Sequence, residues 1–566
     1  MVRWRGLGGI LGLFSLAILA ACGPAGGPSA PQTDEPRSTQ QRRLVVVTRG
    51  EPPSLSVKII PAVPALGDAA ARDLFNANLD YIDEREIAHP YLETDLPRLN
   101  SDNWLVLPDG RMQTTHRLRQ AVWHDGAPLS ANDFAFSWRV YATPELGHVN
   151  TVPISEIEEV TAPDPATVII RWKRPFPDAD RLTTGFPPLP THILEESFGR
   201  GDIDAFTKQS YWTTQYVGLG PWKVDHWEQG AFVDASAFDG YVLGRPKIDR
   251  IRLAFNADPI GVLATVLAGE AHVTIPFTMY PEQADVLAQQ GWPGSVLWIP
   301  GGWRRVEVQH RPDFLNPKAL QQLPVRKAFA HALDRSAVND TVYSGKSIIA
   351  DSPILPTATY YADLDRVIAH YPYDLRRVEQ FMNEAGFTKG PDGNYAAANG
   401  ERLTVELKAN NTEAFVKEAQ IIAASWRQAG LDTTEATVPI AQSSSGEVRN
   451  GFSGFYSGQG GSGESQFDSY LTRTVATPQN NWVGSNRAGF SDPNFDRLRQ
   501  TFAGSLDRSE RNRLAIELAQ ILTDQVACIS LLFTANTEAV APGLVGPGSY
   551  GQGGSFTWNS YLWEWQ

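Results

Sequence analysis

A chain of 566 residues exceeds what one hydrophobic core supports and should divide into two or three domains. Its 42% hydrophobic and 20% charged residues are ordinary for a globular protein with well-filled cores. The 49 basic against 63 acidic residues leave a formal charge of −14, which argues against binding along a phosphate backbone, where a basic stripe is needed.

Arg3 and Arg5 precede an uncharged run from Gly6 to Ala21, dense in Leu, Ile, Phe and Gly. This is the charged and apolar pattern of an export signal, and so short a run only marginally spans about 30 Å of hydrocarbon. Leu19-Ala20-Ala21-Cys22-Gly23 resembles the bacterial lipobox, in which the cysteine thiol receives a diacylglycerol before cleavage. Gly23 to Gln41 is rich in Pro, Gly, Ser, Thr and Gln without periodicity and reads as a flexible tether, so the folded body should begin near Leu44. The second cysteine, Cys528, lies in the apolar run Val526-Ala-Cys-Ile529 and reads as a small buried hydrophobe; two cysteines imply no disulfide framework.

Leu44 to Val47 is a short apolar strand followed by Glu51-Pro-Pro-Ser-Leu55. Leu74, Leu79 and Tyr81-Ile82 alternate with polar residues up to Pro90-Tyr-Leu92. Trp104–Leu107 and Met112–Leu118 flank Pro108-Asp109-Gly110, a hairpin signal. Leu118, Val122 and Trp123 continue a strand pattern into the turn Asp125-Gly126. Ser130 is placed to cap a helix with Asp133 in capping-box position, and Phe134, Trp138 and Tyr141 recur on one helical face. His124-Asp125 offers a proton-transfer dyad, but adjacent strand residues point to opposite faces and no nucleophile lies nearby in sequence.

This stretch, Trp123-His-Asp-Gly-Ala-Pro-Leu-Ser-Ala-Asn-Asp-Phe-Ala-Phe-Ser-Trp138, resembles the signature of the family 5 extracellular solute-binding proteins, the oligopeptide- and nickel-type receptors of ABC importers. The chain is one residue short of the pattern between Arg119 and His124. Later segments resemble the same family in order: Val217-Gly-Leu-Gly-Pro-Trp222, Gly244-Arg-Pro-Lys-Ile-Asp-Arg-Ile251, Ala268-Gly-Glu-Ala-His-Val273, Val325 to Arg335, and Gly489-Phe-Ser-Asp-Pro-Asn-Phe495-Asp496. The pair of glycines at Gly218 and Gly220 allows a sharp bend or a close approach, and a phosphate loop is excluded because strand residues follow. Gly345-Lys346-Ser347 likewise lacks the strand that a phosphate loop needs before it.

Asp374 should cap a helix through Val378, Phe381 and Met382 that stops at Gly386. Leu403, Val405 and Leu407 alternate as a strand, and Phe415, Ala419, Ile422 and Trp426 mark a helix ending at Gly430, together a βα unit. Gly451 to Gly463 reads either as a flexible surface loop or, by resemblance, as the family segment lying along the ligand. Peptide receptors carry there an aspartate that pairs with the peptide amino terminus; here Gly454-Phe-Tyr-Ser-Gly458 stands in its place without one. A last helix runs about Ala515 to Leu522, and Trp558, Trp563 and Trp565 close the chain. No internal repeat, zinc spacing, His-Glu-x-x-His or Gly-x-Ser-x-Gly elbow occurs, so no catalytic residue, metal or cofactor is assigned.

The resemblance, which covers about Leu44 to Gln566, implies an α/β, two-lobed periplasmic-binding-protein-like clamp of type II with an additional α+β domain. It divides the chain into a signal peptide (1–21), an acylated Cys22 with its tether (22–43), a first lobe (44–67, 205–300 and 525–566), the extra domain (68–204) and a second lobe (301–524). The implied function is an extracytoplasmic, lipid-anchored, monomeric receptor that binds an oligopeptide between its lobes and delivers it to ABC permease subunits. An oligosaccharide or opine-like solute, a sensor or adhesion protein without a transporter, and an exported hydrolase are the alternatives. Candidate ligand contacts are Glu51, Trp303, Phe455, Tyr456, Ser457, Glu464, Asp468 and Trp482, with Glu464 or Asp468 available to replace the missing aspartate.

Overall fold

The computed structural model describes residues 43–60, 62, 69–439, 442, 445–551 and 553–566, so Cys22 and the tether lie outside the described residues. Eleven strands form one large sheet: β1 (Leu44–Thr48), β2 (Trp222–Glu228), β3 (Phe232–Ala237), β4 (Arg250–Phe255), β5 (Val273–Thr274), β6 (Ser295–Val308), β7 (Ile348–Ile349), β8 (Thr404–Asn410), β9 (Asp432–Val438), β10 (Phe455–Gly460) and β11 (Cys528–Val540). Their order is β9-β8-β10-β6-β11-β5-β1-β4-β3-β2, with β7 pairing off the path against β11. β1 is valine-rich because it lies between two parallel partners, β4 and β5, and is covered on both faces. The expected βα unit is present: β8 and β9 are parallel and joined by the helix Glu413–Gln428.

The cores divide the fold in two. Leu44, Val46, Trp222, Ile251 and Val540 belong to a first core that also takes in Trp104, Phe134 and Trp172. Val306, Phe329, Leu407, Trp426 and Leu531 build a second, flanked by Trp303, Phe467 and Leu518. β6 and β11 run through both, since Ile299 and Val540 pack in the first core and Val306 and Leu531 in the second. Their register slips between Pro300 and Trp303, where Gly301 and Gly302 stand. A Cβ at Gly302 would meet Gln459 Nε2 at 2.5 Å and Gly460 O at 3.0 Å, so a larger residue at this bulge would have to displace the Gln459 side chain. A bulge inside two strands that join separate cores is where the chain bends most easily.

Trp104–Val106, Met112–Arg117, Ile157–Asp164 and Thr167–Trp172 form a separate four-stranded antiparallel sheet, covered by the helix Ala131–Tyr141. The expected hairpin at Pro108-Asp109-Gly110 is there, with Gly110 at φ +85°. So is the helix start, where Ser130 N donates to Asp133 Oδ2 at 2.9 Å. The strand expected over Leu118–Trp123 is not. The ladder stops at Arg117 because the following amides bond to loops: Leu118 N to Ala166 O at 2.7 Å, Arg119 N to Leu92 O at 2.8 Å and His124 N to Gly218 O at 3.0 Å.

His124 is a fastener. Its Nδ1 accepts from Gly218 N at 3.2 Å and its Nε2 donates to Gly220 O at 3.0 Å. Burial lowers its pKa to about 4, so the imidazole is neutral, and Asp125 turns away to His192. The glycines it holds are needed for close approach, since a Cβ at Gly220 would fall 2.2 Å from Asn76 N. Gly451–Gly463 is no loose surface loop throughout, because Phe455–Gly460 is an interior strand between β8 and β6.

Candidate functional site

A cavity of 260 Å³ lies where residues 70–91, the turn Pro276-Phe277 and the C-terminal segment 550–560 converge. Its wall mixes rings with polar groups. Tyr81 stacks on Trp558 with centroids 5.5 Å apart and planes at 18°, and packs edge-on against Tyr91. Tyr91 and Tyr241 share a hydroxyl–hydroxyl bond behind them. Phe277 is held at φ +67°, a strained conformation for a bulky residue, and leaves its ring 50% exposed. Asn76 is consumed by structure: its Nδ2 donates to Leu55 O at 2.8 Å and its Oδ1 accepts from Tyr216 Oη. Asn78 Oδ1 is buried and has no partner among the described residues.

Buried carboxylates surround this cavity. Asp80 lines it and accepts from Leu182 N at 2.7 Å and Thr183 N at 3.0 Å, yet burial and the nearby Glu93 push its pKa well above the usual range. Burial also raises Asp73. Glu538 on β11 sits close to Tyr550, another lining residue. It is fully buried, neither carboxylate oxygen has a partner among the described residues, and burial alone pushes its pKa up to about 8.

The residues singled out in the sequence lie elsewhere, mostly in the second lobe. Glu51 is exposed and braces the β2–β3 hairpin, accepting from Trp227 Nε1 at 2.8 Å and Gly230 N at 3.0 Å. Trp303 is fully enclosed beneath the Arg305 guanidinium, 4.6 Å from its ring centroid. Phe455, Tyr456 and Ser457 are neighbours on β10 and are all buried. Phe455 packs between Phe329 and Trp426. Tyr456 Oη donates to Asn410 Oδ1, and Ser457 Oγ donates to Glu418. Glu418 and Arg304 form a fully buried ion pair, with Arg304 Nε donating to Glu418 Oε2 at 3.0 Å and Tyr343 Oη donating to the same oxygen at 2.8 Å.

Glu464 and Asp468 lie on the turn after β10 and are engaged by arginines. Glu464 accepts from Tyr360 Oη at 2.9 Å and Arg511 Nη2 at 3.2 Å, and Asp468 from Arg499 Nη2 at 3.0 Å. Trp482, half-buried at φ +61°, lies edge-on to Phe314 on another loop. Thus β6, β10 and the turn behind it carry six of the eight, Trp482 lies on a separate loop, and Glu51 stands apart. The cavity residues Tyr81, Phe277 and Trp558 were not singled out. Tyr81 carried only a strand alternation, and no sequence pattern announces the positive φ of Phe277.

The segment 68–204 and the second lobe meet through charge. Arg508 Nη1 lies 3.4 Å from Asp178 Oδ1, and Arg511, which holds Glu464, lies 3.8 Å from Asp178 Oδ2. Among the described residues no cluster of His, Cys, Asp and Glu could hold a metal ion, and no helix is long and apolar enough to cross a membrane. Cys528 carries no bond to another cysteine, and burial pushes its thiol up to about 12.

The family model for bacterial extracellular solute-binding proteins, family 5 Middle, matches residues 96–482. A putative ABC transporter peptide-binding protein of Brucella ovis is 27% identical over 340 residues, 59% of this chain and 58% of that protein's length, so the match spans under two thirds of that relative. Heme-binding protein A of Haemophilus influenzae is 24% identical over 554 residues, covering 94% of each chain. Among solved structures, HbpA2 from Haemophilus parasuis superimposes with a TM-score of 0.74 at 18% identity, over 93% of this chain and 100% of that one. The fold is the two-lobed α/β clamp, with the additional sheet and helices packed on its first lobe. The chain belongs to the bacterial extracellular solute-binding proteins, family 5.

Proposed function

We propose that the protein is the extracytoplasmic receptor of an ABC importer, binding a peptide-like solute between its lobes and passing it to the permease. Two observations support this reading: a ring-lined polar cavity, and two strands that bridge separate cores through a glycine bulge. Exposed rings supply contact area at little entropic cost, while fixed amide and carboxyl groups orient a polar ligand. A bound solute that touches both lobes favours the closed state by its differential contacts. The Brucella relative carries the words peptide-binding in its name, which supports peptide as the solute class. The stacked Tyr81–Trp558 pair favours a second reading, an oligosaccharide held by the same platform. Cys22, outside the described residues, would carry the lipid that tethers the receptor to the membrane. A hydrolase reading lacks support, since His124 is locked in backbone bonds.

Native mass spectrometry of the protein as purified should reveal co-purified peptides; a bound sugar would replace the peptide reading. Trp558→Ala and Phe277→Ala should then weaken that ligand by about 1–2 kcal/mol, roughly tenfold, with the fold intact. Unchanged affinity in both variants would remove the cavity from the site.

A further inference from the structure

The second lobe carries arginines without carboxylate partners beside the strand pair β6–β10, whose own charges are paired. In the β6–β10 register, Trp303, Arg305 and Glu307 lie opposite Gly460, Gly458 and Tyr456. Alternation turns Arg304 to the other face, where Glu418 neutralises it. On the near face Arg305 Nε donates to Glu307 Oε1 at 2.6 Å, a second neutral pair, but Arg305 Nη1 is buried without a partner among the described residues. A further guanidinium group reaches the same place. Arg487 extends its Nη1 to 4.0 Å from the point where a side chain at Gly458 would begin. Arg449, from the helix Gly446–Asn450, is close enough to Arg487 and Tyr456 to perturb the ionisation of both. Among the described residues neither Arg449 nor Arg487 lies within ion-pair distance of a carboxylate; Glu307, near enough to favour the charge on Arg487, is already bonded to Arg305, and Glu418 to Arg304.

Arginine does not shed its proton to relieve such crowding. Two like charges in a partly dry site, with a further buried N–H unpaired, are therefore costly until an anion joins them. At Gly458 no side chain stands between the strand and Arg487, a Cβ there meeting Tyr456, Glu307 and Arg487 only at 3.8–4.0 Å, and the acids further along are held by Arg511 and Arg499. We infer that this face is an oxyanion subsite in which Arg487, with Arg449 beside it, receives a carboxylate of the solute over Gly458. The source of that carboxylate rests on the peptide-like reading above. The solute then presents its carboxyl end or an acidic side chain to the second lobe, not an amine. A planar guanidinium accepts a carboxylate through two parallel hydrogen bonds, which fixes direction as well as charge.

The test uses the full chain, tetra-alanine, its C-terminal amide, and glutarate as a carboxylate without a peptide. Calorimetry should show the free acid binding at least tenfold tighter than the amide, with the difference abolished in Arg487→Gln and partly restored in Arg487→Lys. Free acid and amide binding equally well to the wild type would overturn the subsite. If neither peptide binds, the peptide reading fails and glutarate decides the subsite alone. A glutarate-induced rise in melting temperature that Arg487→Gln removes supports it, and an equal rise or none in both proteins overturns it. The empty Arg487→Gln protein should melt higher than the wild type, because a repelled charge has been removed; a merely structural arginine would give the reverse.

Discussion

Around the cavity the deep ionisable groups are carboxylates, Asp80 of the 68–204 segment and Glu538 on β11, with the half-buried Asp73 beside them; in the second lobe the deep cations are arginines, Arg304 and Arg305. A buried carboxylate escapes the cost of desolvation by keeping its proton, and the raised pKa values around the cavity are that escape. An arginine has no such exit. It must be paired, as Arg304 is with Glu418, or wait for an anion, as Arg487 does. The comparison teaches where charge can persist: around the cavity stand rings and carboxyls whose pKa values burial raises, while the second lobe keeps permanent charges.

Breaking the second lobe's pair should have the largest effect. Glu418→Gln leaves Arg304 buried without its anion and should cost about 3–5 kcal/mol. Urea unfolding would register this as a lower midpoint at unchanged slope. A loss under about 1 kcal/mol would mean that water reaches the pair and that burial is not the governing cost.

The first lobe should show its strategy in pH. Glu538 has a pKa raised from 4.5 to about 8, so the folded protein holds a proton that the unfolded chain has released between those values. Below about pH 4.5 the group costs nothing. Above it, stability falls by about 1.4 kcal/mol per pH unit, to roughly 3 kcal/mol by pH 7, and levels off beyond about 8. Glu538→Gln should flatten that part of the stability profile. A wild-type profile that is already flat would show that Glu538 is solvated or paired in solution.

Much of this architecture was legible in the residues because local rules and tertiary structure agree there. The hairpin at Asp109-Gly110, the Asp374 cap and the helix from Glu413 each obey turn, capping or periodicity rules that survive packing. Leu118–Trp123 misled because its apolar alternation serves loop packing, with its amides bonded outside any ladder. The site was harder. Trp303, Phe455 and Tyr456 look like ligand-facing aromatics in sequence, yet burial depends on which face of a strand each takes and what covers it. The cavity draws on residues from 70 to 560, brought together only by the sheet order. The unpaired arginines are likewise invisible until it is known which carboxylates their neighbours have already claimed.

The central claim is that this is a clamp which closes on its solute by bending at Gly301-Gly302 between the two cores. Small-angle X-ray scattering of the full chain, stripped of ligand and then saturated with the solute identified by mass spectrometry, tests it most directly. Radius of gyration and maximum dimension should both fall on binding. Identical scattering curves, with calorimetry confirming that the solute is bound, would contradict it.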